Sequence, residues 1–234
     1  LYVNFLGNLD LFNATVGYNT ADNNSNDIGD GGGIFVVGGT VRPRHTIFGA
    51  NVDGSAAGLR APDCSGPVVS AGRNLFSAID FAVCQTSGDF ASDLVGSLGG
   101  PLDPGLEPCL EAPDDSNTSA LNVLDDSPAV DAGDPAGCLA FGGAPLENDQ
   151  AGNQRVWDGP DLDDVARCDL GAIELGAPSA SFIFGDDFES GNLSAWTAIV
   201  PPPPGLLTQG PPKTPRQIFR ESVPLRGGCG GGDA

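Results

Sequence analysis

Apolar and polar residues alternate over short stretches of the first hundred residues, with glycine-rich turns between them. Leu9 and Leu11 are separated by an aspartate, and 32 positions later Val41 and Pro43 are separated by an arginine. A period of two is typical of a half-buried β-strand. Each stretch then ends in a Gly-x-Asn turn, so the two segments form a repeat with an offset of 32 residues.

Further short strands are predicted from "GGGIFVVGG" and "GPVVSAGRNLFSAI", where apolar runs are bounded by glycine. A short strand of this kind cannot bury an apolar face alone. Stacking successive strands as coils would bury a continuous core, which is the arrangement of a β-solenoid. The composition agrees, because 35 glycines and 20 prolines among 234 residues favour turns between short strands over long helices. The sequence therefore predicts an all-β fold.

The charge of the chain restricts its partners. Ten basic residues against 31 acidic residues give a formal net charge of -21. This charge repels the phosphates of nucleic acids and of anionic lipids, so neither is an expected partner. No stretch approaches the roughly 20 apolar residues of a membrane-spanning helix, and none is predicted. Because the chain begins at Leu1 and contains no methionine, we expect the C-terminal part of a longer polypeptide with its export signal upstream.

Six cysteines indicate disulfide bonds rather than a zinc site. The chain has no Cys-x-x-Cys pair and a single histidine, His45. Disulfides form in oxidising compartments, so an extracytoplasmic location is expected. Six cysteines allow many pairings, and their spacing does not select one. The cysteines are Cys64, Cys84, Cys109, Cys138, Cys168 and Cys229.

Two sets of motifs resemble bacterial surface proteins. "NATVGYNTA", "GGGIFVVGGTVRPRHTIFGAN" and "PDCSGPVVSAGRNLF" resemble the last coils of right-handed parallel β-helix proteins of the polymorphic outer-membrane-protein type. "DSPAVDAGD", "DQAGNQR" and "ARCDLGAIE" resemble, in this order, the signature of the choice-of-anchor Q domain. That domain is found at the end of secreted bacterial β-helix proteins, ahead of varied surface-anchoring tails. Together the resemblances cover about residues 9–176.

The resemblance implies the end of a right-handed parallel β-helix, a solenoid closed by a compact, disulfide-linked C-terminal cap. Residues 1–99 would be the last coils of the helix, and residues 100–176 the choice-of-anchor Q type cap. The cap is expected to cover the open edge of the last coil, where it would prevent strand-to-strand aggregation.

The resemblance also implies two disulfides and assigns no partner to Cys109 or Cys229. The implied pairs are Cys64 with Cys84 and Cys138 with Cys168. Each would stabilise the fold by about 3 kcal/mol through the lost entropy of the unfolded chain. The alternative is a set of free buried thiols.

Two further segments follow the cap. Residues 177–200 contain "FIFGDDFESGNLSAW", which resembles a short C-terminal motif, Phe-Glu-Ser-Gly followed by Trp, of many exported Gram-negative proteins. Residues 201–234 are rich in proline and glycine, a composition that cannot form a packed core and predicts a disordered tail. A tail this long departs from the family pattern. The resemblance implies a location outside the cell or on the outer surface of a Gram-negative bacterium.

The acidic stretch "DGPDLDDVARCDLGAIE" is a candidate calcium site, because Ca²⁺ takes six to eight oxygen ligands. The family usually has a repeated Asp-Gly run here, and this chain keeps the acids but lacks two of the glycines. The candidate ligands are Asp158, Asp161, Asp163, Asp164 and Asp169. The two interpretations are a structural calcium ion and an acidic, solvated turn that closes the helix.

Arg42, Arg44 and His45 form a basic cluster in the part of the chain expected to fold. Parallel β-helix lyases bind acidic sugars with arginine on the outer face of such strands. A lyase also needs calcium-binding aspartates beside the arginine to acidify the proton next to the uronate carboxylate, and the sequence places none there. The second interpretation has Arg42 and Arg44 as solvated or edge-protecting charges, with His45 at a turn position where related coils have asparagine.

These observations predict the C-terminal fragment of an exported cell-surface or secreted β-helix protein that is non-catalytic, and structural or adhesin-like. Its ligand would be a carbohydrate or a protein surface. The alternative is a polysaccharide lyase or hydrolase of the parallel β-helix class that acts on acidic polysaccharide. No catalytic residue is predicted, and calcium is the one cofactor considered. Paired carboxylates for glycoside hydrolysis stay open, because the separation of two acids is a structural quantity.

Overall fold

The computed structural model describes residues 1–177 except positions 6, 25, 28, 57–59, 111–118 and 160–164. The described chain contains β-strands, turns and a short 3₁₀ helix, Phe90–Ser92, and no α-helix. The prediction of an all-β fold is therefore confirmed. The described residues also contain no helix with the length and hydropathy needed to cross a bilayer. The predicted Phe-Glu-Ser-Gly segment and the proline-rich tail lie outside the described residues.

The strands come in four successive passes of the chain. The first pass contains β1 (Tyr2–Val3), β2 (Asn8–Phe12), β3 (Thr15–Gly17) and β4 (Thr20–Ala21). The second contains β5 (Ile34–Val36), β6 (Thr40–Arg44), β7 (Ile47–Gly49) and β8 (Val52–Asp53). The third contains β9 (Cys64–Ser70) and β10 (Leu75–Ile79), and the fourth contains β11 (Cys84–Gly88) and β12 (Leu94–Ser97).

Strands of successive passes pair in parallel and form three sheets. The first sheet has the order β1, β5, β9, β6, β2, with β11 also paired to β9. The second has the order β12, β10, β7, β3, and the third joins β4 to β8. The register places Leu9 opposite Val41 and Gly17 opposite Gly49. The predicted 32-residue repeat is therefore a real structural repeat, with equivalent residues stacked on one another.

The passes become shorter toward the C-terminal end. In the second sheet Thr15 pairs with Ile47, 32 residues later, whereas Ile47 pairs with Leu75, 28 residues later. Leu75 then pairs with Leu94, which is 19 residues later. Among the described residues the short β4–β8 pair has no counterpart in the third and fourth passes. The chain therefore uses fewer residues between equivalent positions in the later passes.

The turns stack as well as the strands. Asn13 and His45 occupy equivalent corners and have φ angles of 48° and 49°. This is the left-handed region, where Asn, Asp and His are several-fold enriched among residues other than glycine. The backbone N–H of Asn13 donates to the carbonyl of Arg44 at 3.0 Å, which ties one corner to the next. His45 thus lies at the turn position that the sequence predicts for it.

A ladder of polar side chains connects the Gly-x-Asn turns to the third pass. Asn19 Nδ2 donates to Asn51 Oδ1 at 3.0 Å, and Asn51 Nδ2 donates to Asp63 Oδ1 at 3.0 Å. Asp63 is fully buried, and its burial raises the pKa of its carboxyl to about 7. Because buried polar groups require partners, this ladder favours one register over a shifted one.

Two apolar clusters lie on opposite sides of the second sheet. Alternation along β7 points Phe48 into the space enclosed by the passes, where it stacks on Phe76 with ring centroids 4.9 Å apart. Ile47 points to the outer face and is also fully buried. The inner cluster comprises Val3, Ile34, Val36, Val41, Phe48, Cys64, Val68, Phe76, Ile79 and Cys84. The outer cluster comprises Ile47, Leu75, Leu106, Val123, Ala129 and Leu170.

Residues 100–176, which we call the cap segment, pack on the outer face of the second sheet. The backbone N–H of Gly171 donates to the carbonyl of His45 at 2.8 Å, and that of Ala172 donates to Thr15 Oγ1 at 3.0 Å. The sequence led us to expect the cap over the edge of the last strand. The described contacts include the face of this sheet, where Ile47 and Leu75 present apolar side chains that require cover.

Candidate functional site

The three motifs "DSPAVDAGD", "DQAGNQR" and "ARCDLGAIE" meet in a largely buried polar network. We call it the closing network, and it comprises Asp131, Asp149, Arg155, Asp169 and Glu174. The backbone N–H of Asp131 donates to Asp169 Oδ1 at 2.8 Å, and that of Glu174 donates to Asp149 Oδ2 at 2.9 Å. Arg155 Nη2 donates to the carbonyl of Gly171 at 2.8 Å. Motifs far apart in sequence are thereby fastened to one another.

Arg155 and Glu174 form an ion pair with almost no access to solvent. Arg155 Nη1 lies 3.5 Å from Glu174 Oε2, and each side chain is 1% exposed. Glu174 also accepts the backbone N–H groups of Trp157 at 3.0 Å and Asp169 at 3.1 Å. A buried charge pair requires such additional hydrogen bonds to offset its lost hydration.

Burial controls the protonation of this network. It raises the pKa of Glu174 to about 7, with the charge of Asp169 as the second cause. It also raises the pKa of Asp169 to about 6, against the effect of the N–H groups of Leu175 and Asp131. The pKa of Arg155 is lowered by burial, which its acidic neighbours oppose. The charges of the network are therefore determined by the packed protein rather than by water.

Backbone N–H groups occupy the carboxylate oxygens of the network. Asp149 Oδ1 accepts the N–H groups of Ala151 and Asn153, and Asp169 Oδ2 accepts that of Leu175 at 2.6 Å. Asp169 is 1% exposed. A general acid or base must reach the proton that it transfers, and these buried, occupied carboxylates do not reach a substrate. In the described residues the network connects the motifs of the cap segment to one another.

The pairing of Arg155 with Glu174 was not predicted from the sequence. A signal was present, because Arg155 and Arg167 are the two basic residues between positions 100 and 176, which otherwise contain many acids. A rare arginine among acids is a candidate for a paired, buried charge. Its partner Glu174 could not be identified, because the chain must turn back to bring Glu174 to Arg155 and no local sequence pattern specifies this turn.

The structure describes two of the five candidate calcium ligands. Asp169 belongs to the closing network, where both of its carboxylate oxygens accept backbone N–H groups. Asp158 is half-buried, and its Oδ1 atom is buried and accepts no hydrogen bond from the described residues. The other three candidates, Asp161, Asp163 and Asp164, lie outside the described residues.

Two disulfide bonds are present among the described residues, with the pairing that the resemblance implied. They join Cys64 to Cys84, with Cα atoms 5.3 Å apart, and Cys138 to Cys168, with Cα atoms 5.8 Å apart. All four residues are buried. The first bond lies in the inner apolar cluster, and the second fastens two parts of the cap segment. Cys109 is not a free thiol, and Cys229 lies outside the described residues.

Arg42, Arg44 and His45 do not form a common binding surface. Arg42 is exposed and its Nε atom donates to Asp10 Oδ1 at 2.8 Å. Arg44 pairs with Asp134 of the cap segment at 2.9 Å. His45 is fully buried. The three side chains are therefore directed to different partners rather than to one anionic ligand.

His45 lies against the second disulfide. Its Nε2 atom accepts the backbone N–H of Asp134 at 3.2 Å, and its Nδ1 atom has no hydrogen-bond partner among the described residues. One ring nitrogen and the sulfur atoms of Cys138 and Cys168 lie within 4.8 Å of one another. Burial lowers the pKa of His45 to about 4, and the charge of Arg44 is the second cause. The neutral imidazole is the form that the fold accommodates.

Acidification is expected to destabilise the protein through His45. Because its folded-state pKa lies below the unfolded value of 6.5, the unfolded state binds more protons, and stability decreases as pH falls through this window. The variant His45→Asn lacks this pH-dependent contribution to the free energy of unfolding. From about pH 7 to about pH 4.5 the variant should gain about 2 kcal/mol relative to the parent chain, measured by urea unfolding at each pH. A pH-independent difference between the two chains would contradict the buried, neutral imidazole.

A cleft of about 350 Å³ lies between the first pass and the cap segment. Thr15, Val16 and Asn19 form one side, and Ser119 and Gln150 form part of the other. None of the described side chains that line it is acidic, basic or a histidine. These side chains accordingly offer hydrogen bonds and apolar contact but no general acid or base.

Comparison with family models, with curated proteins and with solved structures found no match to this chain.

Proposed function

We propose that this chain is the C-terminal part of an exported, non-catalytic surface protein, with a choice-of-anchor Q type domain that closes a stack of β-strands. The observation that supports this most is the closing network, in which the charged residues of all three motifs bind the backbone of the cap segment. Motif residues that act on a substrate would face a cleft instead. Their role in this proposal is to hold the end of the molecule closed.

The stacked passes are, in this proposal, the last coils of a right-handed parallel β-helix. The parallel pairing and the 32-residue register support it. The burial pattern supports it too, because Leu9 and Val16 of the first pass are only partly buried, whereas their partners Val41 and Phe48 are fully buried. A further coil stacked on the first pass would give Leu9 and Val16 the same cover.

The proposed location is the outer surface of a Gram-negative bacterium or the medium around it. Two buried disulfides favour an oxidising compartment. A net charge of -21 favours neutral or cationic partners over anionic ones. The proposed ligand is therefore a carbohydrate or protein surface that contacts the exposed faces of the strands.

An assay on acidic polysaccharides distinguishes this proposal from the lyase alternative. We expect the full chain to release no unsaturated uronide from polygalacturonate or alginate, in the presence or absence of calcium, while it binds an immobilised polysaccharide or protein surface without altering it. The product is measured by its ultraviolet absorbance. Release of product by the parent chain and its loss in Arg42→Gln would establish the lyase instead.

A structural calcium ion beside Asp158 is a separate proposal. The buried Oδ1 atom that accepts no hydrogen bond from the described residues supports it, because an unsatisfied carboxylate oxygen suits a hard cation. Asp169 does not fit the ligand set, since its oxygens are occupied. We expect excess calcium to raise the melting temperature above that in chelator, and Asp158→Asn to reduce the difference. Equal melting temperatures would show that no structural ion binds.

A further inference from the structure

We propose that His45, Cys138 and Cys168 form a buried binding site for a divalent ion of the zinc type when the disulfide between the two cysteines is reduced. One nitrogen of the imidazole and the two sulfur atoms already lie within 4.8 Å of one another. All three residues are buried, with His45 and Cys168 fully inaccessible and Cys138 3% exposed. The site goes beyond the proposed surface function and does not depend on it.

One nitrogen of the His45 imidazole lacks a hydrogen-bond partner among the described residues. His45 Nδ1 is buried and has no hydrogen-bond partner in the part of the chain that the structure describes. A buried polar atom without a partner costs about 1–3 kcal/mol, so such an atom calls for an explanation. Its other nitrogen is engaged, because Nε2 accepts the backbone N–H of Asp134 at 3.2 Å. A metal ion bound at Nδ1 would satisfy the atom that the oxidised protein leaves unpaired.

The ligand atoms of His45, Cys138 and Cys168 also suit zinc. Two thiolates and one imidazole are the ligands that Zn²⁺ prefers, and a tetrahedral ion keeps them close to one another. Calcium and magnesium prefer oxygen ligands and do not suit this set. The other described disulfide serves as a negative control, because no histidine lies beside it. Cys64 and Cys84 lie in the inner apolar cluster, and the single histidine of the chain is at the disulfide of Cys138 and Cys168.

The conversion is balanced by a thiol reductant. Two molecules of reductant RSH convert the disulfide into two cysteine thiols and leave as RSSR. The metal ion then binds the two sulfur atoms as thiolates, and two protons are released to solvent. The imidazole remains neutral throughout. The covalent link between Cys138 and Cys168 is thereby replaced by a metal link between the same two points of the cap segment.

Asp134 accommodates the change at His45. Metal binding at Nδ1 leaves the imidazole proton on Nε2, which then donates rather than accepts. The backbone N–H of Asp134 must give up its present bond to Nε2. The carboxylate of Asp134 lies near enough for its charge to act on His45, and it can accept the proton instead. An acceptor of this kind behind a metal-bound histidine fixes the ring orientation and strengthens the ligand.

The test is a cobalt titration of the full, untagged chain after anaerobic reduction. Co²⁺ replaces Zn²⁺ and gives visible ligand-field bands and a thiolate charge-transfer band. We expect one Co²⁺ per chain in these bands, displaced by Zn²⁺, and no such bands in the oxidised chain. His45 is the one histidine, so its ¹⁵N resonances report directly whether Nδ1 binds Zn²⁺ or Cd²⁺.

The matched control is His45→Asn, because asparagine occupies the equivalent left-handed corner at Asn13. This variant should keep the corner and lose at least about tenfold in Co²⁺ affinity. Cys138→Ser should weaken the charge-transfer band, because one of the two thiolates is lost, whereas the double variant Cys64→Ser/Cys84→Ser should retain its full intensity. If the reduced chain unfolds, Zn²⁺ should restore its near-ultraviolet circular dichroism. Equal cobalt spectra and affinities in the parent and His45→Asn, or no binding and no refolding by the reduced parent, would overturn the site.

Discussion

Replacing Arg155 with methionine is expected to lower the free energy of unfolding by about 3–5 kcal/mol, measured by urea denaturation at neutral pH. The substitution leaves Glu174 and Asp169 buried without the positive charge between them. It also removes the donors to the carbonyls of Gly171 and Asp169, which join the C-terminal motif to the rest of the cap segment. Methionine keeps most of the side-chain volume, so the loss reports on charge and hydrogen bonds rather than on a cavity.

The control for this experiment is Arg42→Met, which removes another arginine of an ion pair. The side chain of Arg42 is 53% exposed and that of its partner Asp10 is 21% exposed, and surface pairs of this kind contribute about 0–1 kcal/mol. The loss in free energy of unfolding caused by Arg155→Met should also become smaller as the pH falls below about 6. Glu174 and Asp169 then take up protons and need no counter-charge. Similar small losses in both variants would show that the closing network is not what holds the cap segment.

Replacing Ile47 with alanine is expected to cost about 2–5 kcal/mol and to loosen the strands and the cap segment together. Ile47 is fully buried in the outer cluster, where the cap segment covers β7, and the Cγ1 atom of its side chain would lie 3.3 Å from a Cβ placed at Gly171. Because one apolar cluster includes residues of both parts, we expect a single unfolding transition with coincident tryptophan fluorescence and circular dichroism.

Val52→Ala is the matched control in the same pass of the chain. Val52 is 51% exposed, so its truncation should change stability by no more than about 0.5 kcal/mol. Limited proteolysis provides a second measurement on Ile47→Ala. If protease removed the cap segment while the strands of the first and second passes stayed protected in hydrogen exchange, the shared cluster would not couple the two parts.

The repeat could be predicted from the sequence because it is local. Leu9 and Val41, or the asparagines of the two Gly-x-Asn turns, serve the same role in successive passes and therefore leave the same pattern at a fixed interval. The position of His45 at a turn was implied by related coils, which have asparagine there, and in the structure Asn13 occupies the equivalent corner 32 residues earlier. Patterns of this kind report contacts between equivalent residues, which sequence comparison can detect.

The position of the cap segment could not be predicted in this way. Ile47 alternates with Phe48 as in any strand, and nothing in the pattern shows whether its face meets solvent or another part of the chain. The cover comes from Leu106 and Leu170, which lie far along an irregular segment that has no period. A resemblance to a closing domain predicted a compact segment over the open edge of the last coil, and it did not predict the contacts of this segment with Ile47 on the face of the second sheet.

The same difference between local sequence patterns and long-range packing applies to the candidate sites. The acidic stretch drew attention to Asp169 as a metal ligand, yet its oxygens serve the backbone. Aspartate favours both roles, so residue type alone does not distinguish them. The proximity of His45 to Cys138 and Cys168 joins positions about ninety or more residues apart in sequence, and only the packing of the cap segment on the second sheet brings them together.

The shortening of successive passes gives the stack a direction. A parallel stack grows when each layer offers the next a full set of backbone donors and acceptors. Among the described residues the first two passes contain four strands each and the last two contain two each, and the β4–β8 pair has no counterpart there. The first pass therefore offers a neighbouring layer more strands to pair with than the fourth pass does. In the proposed β-helix, layers duplicated during evolution would find the larger set of strand partners beside the first pass.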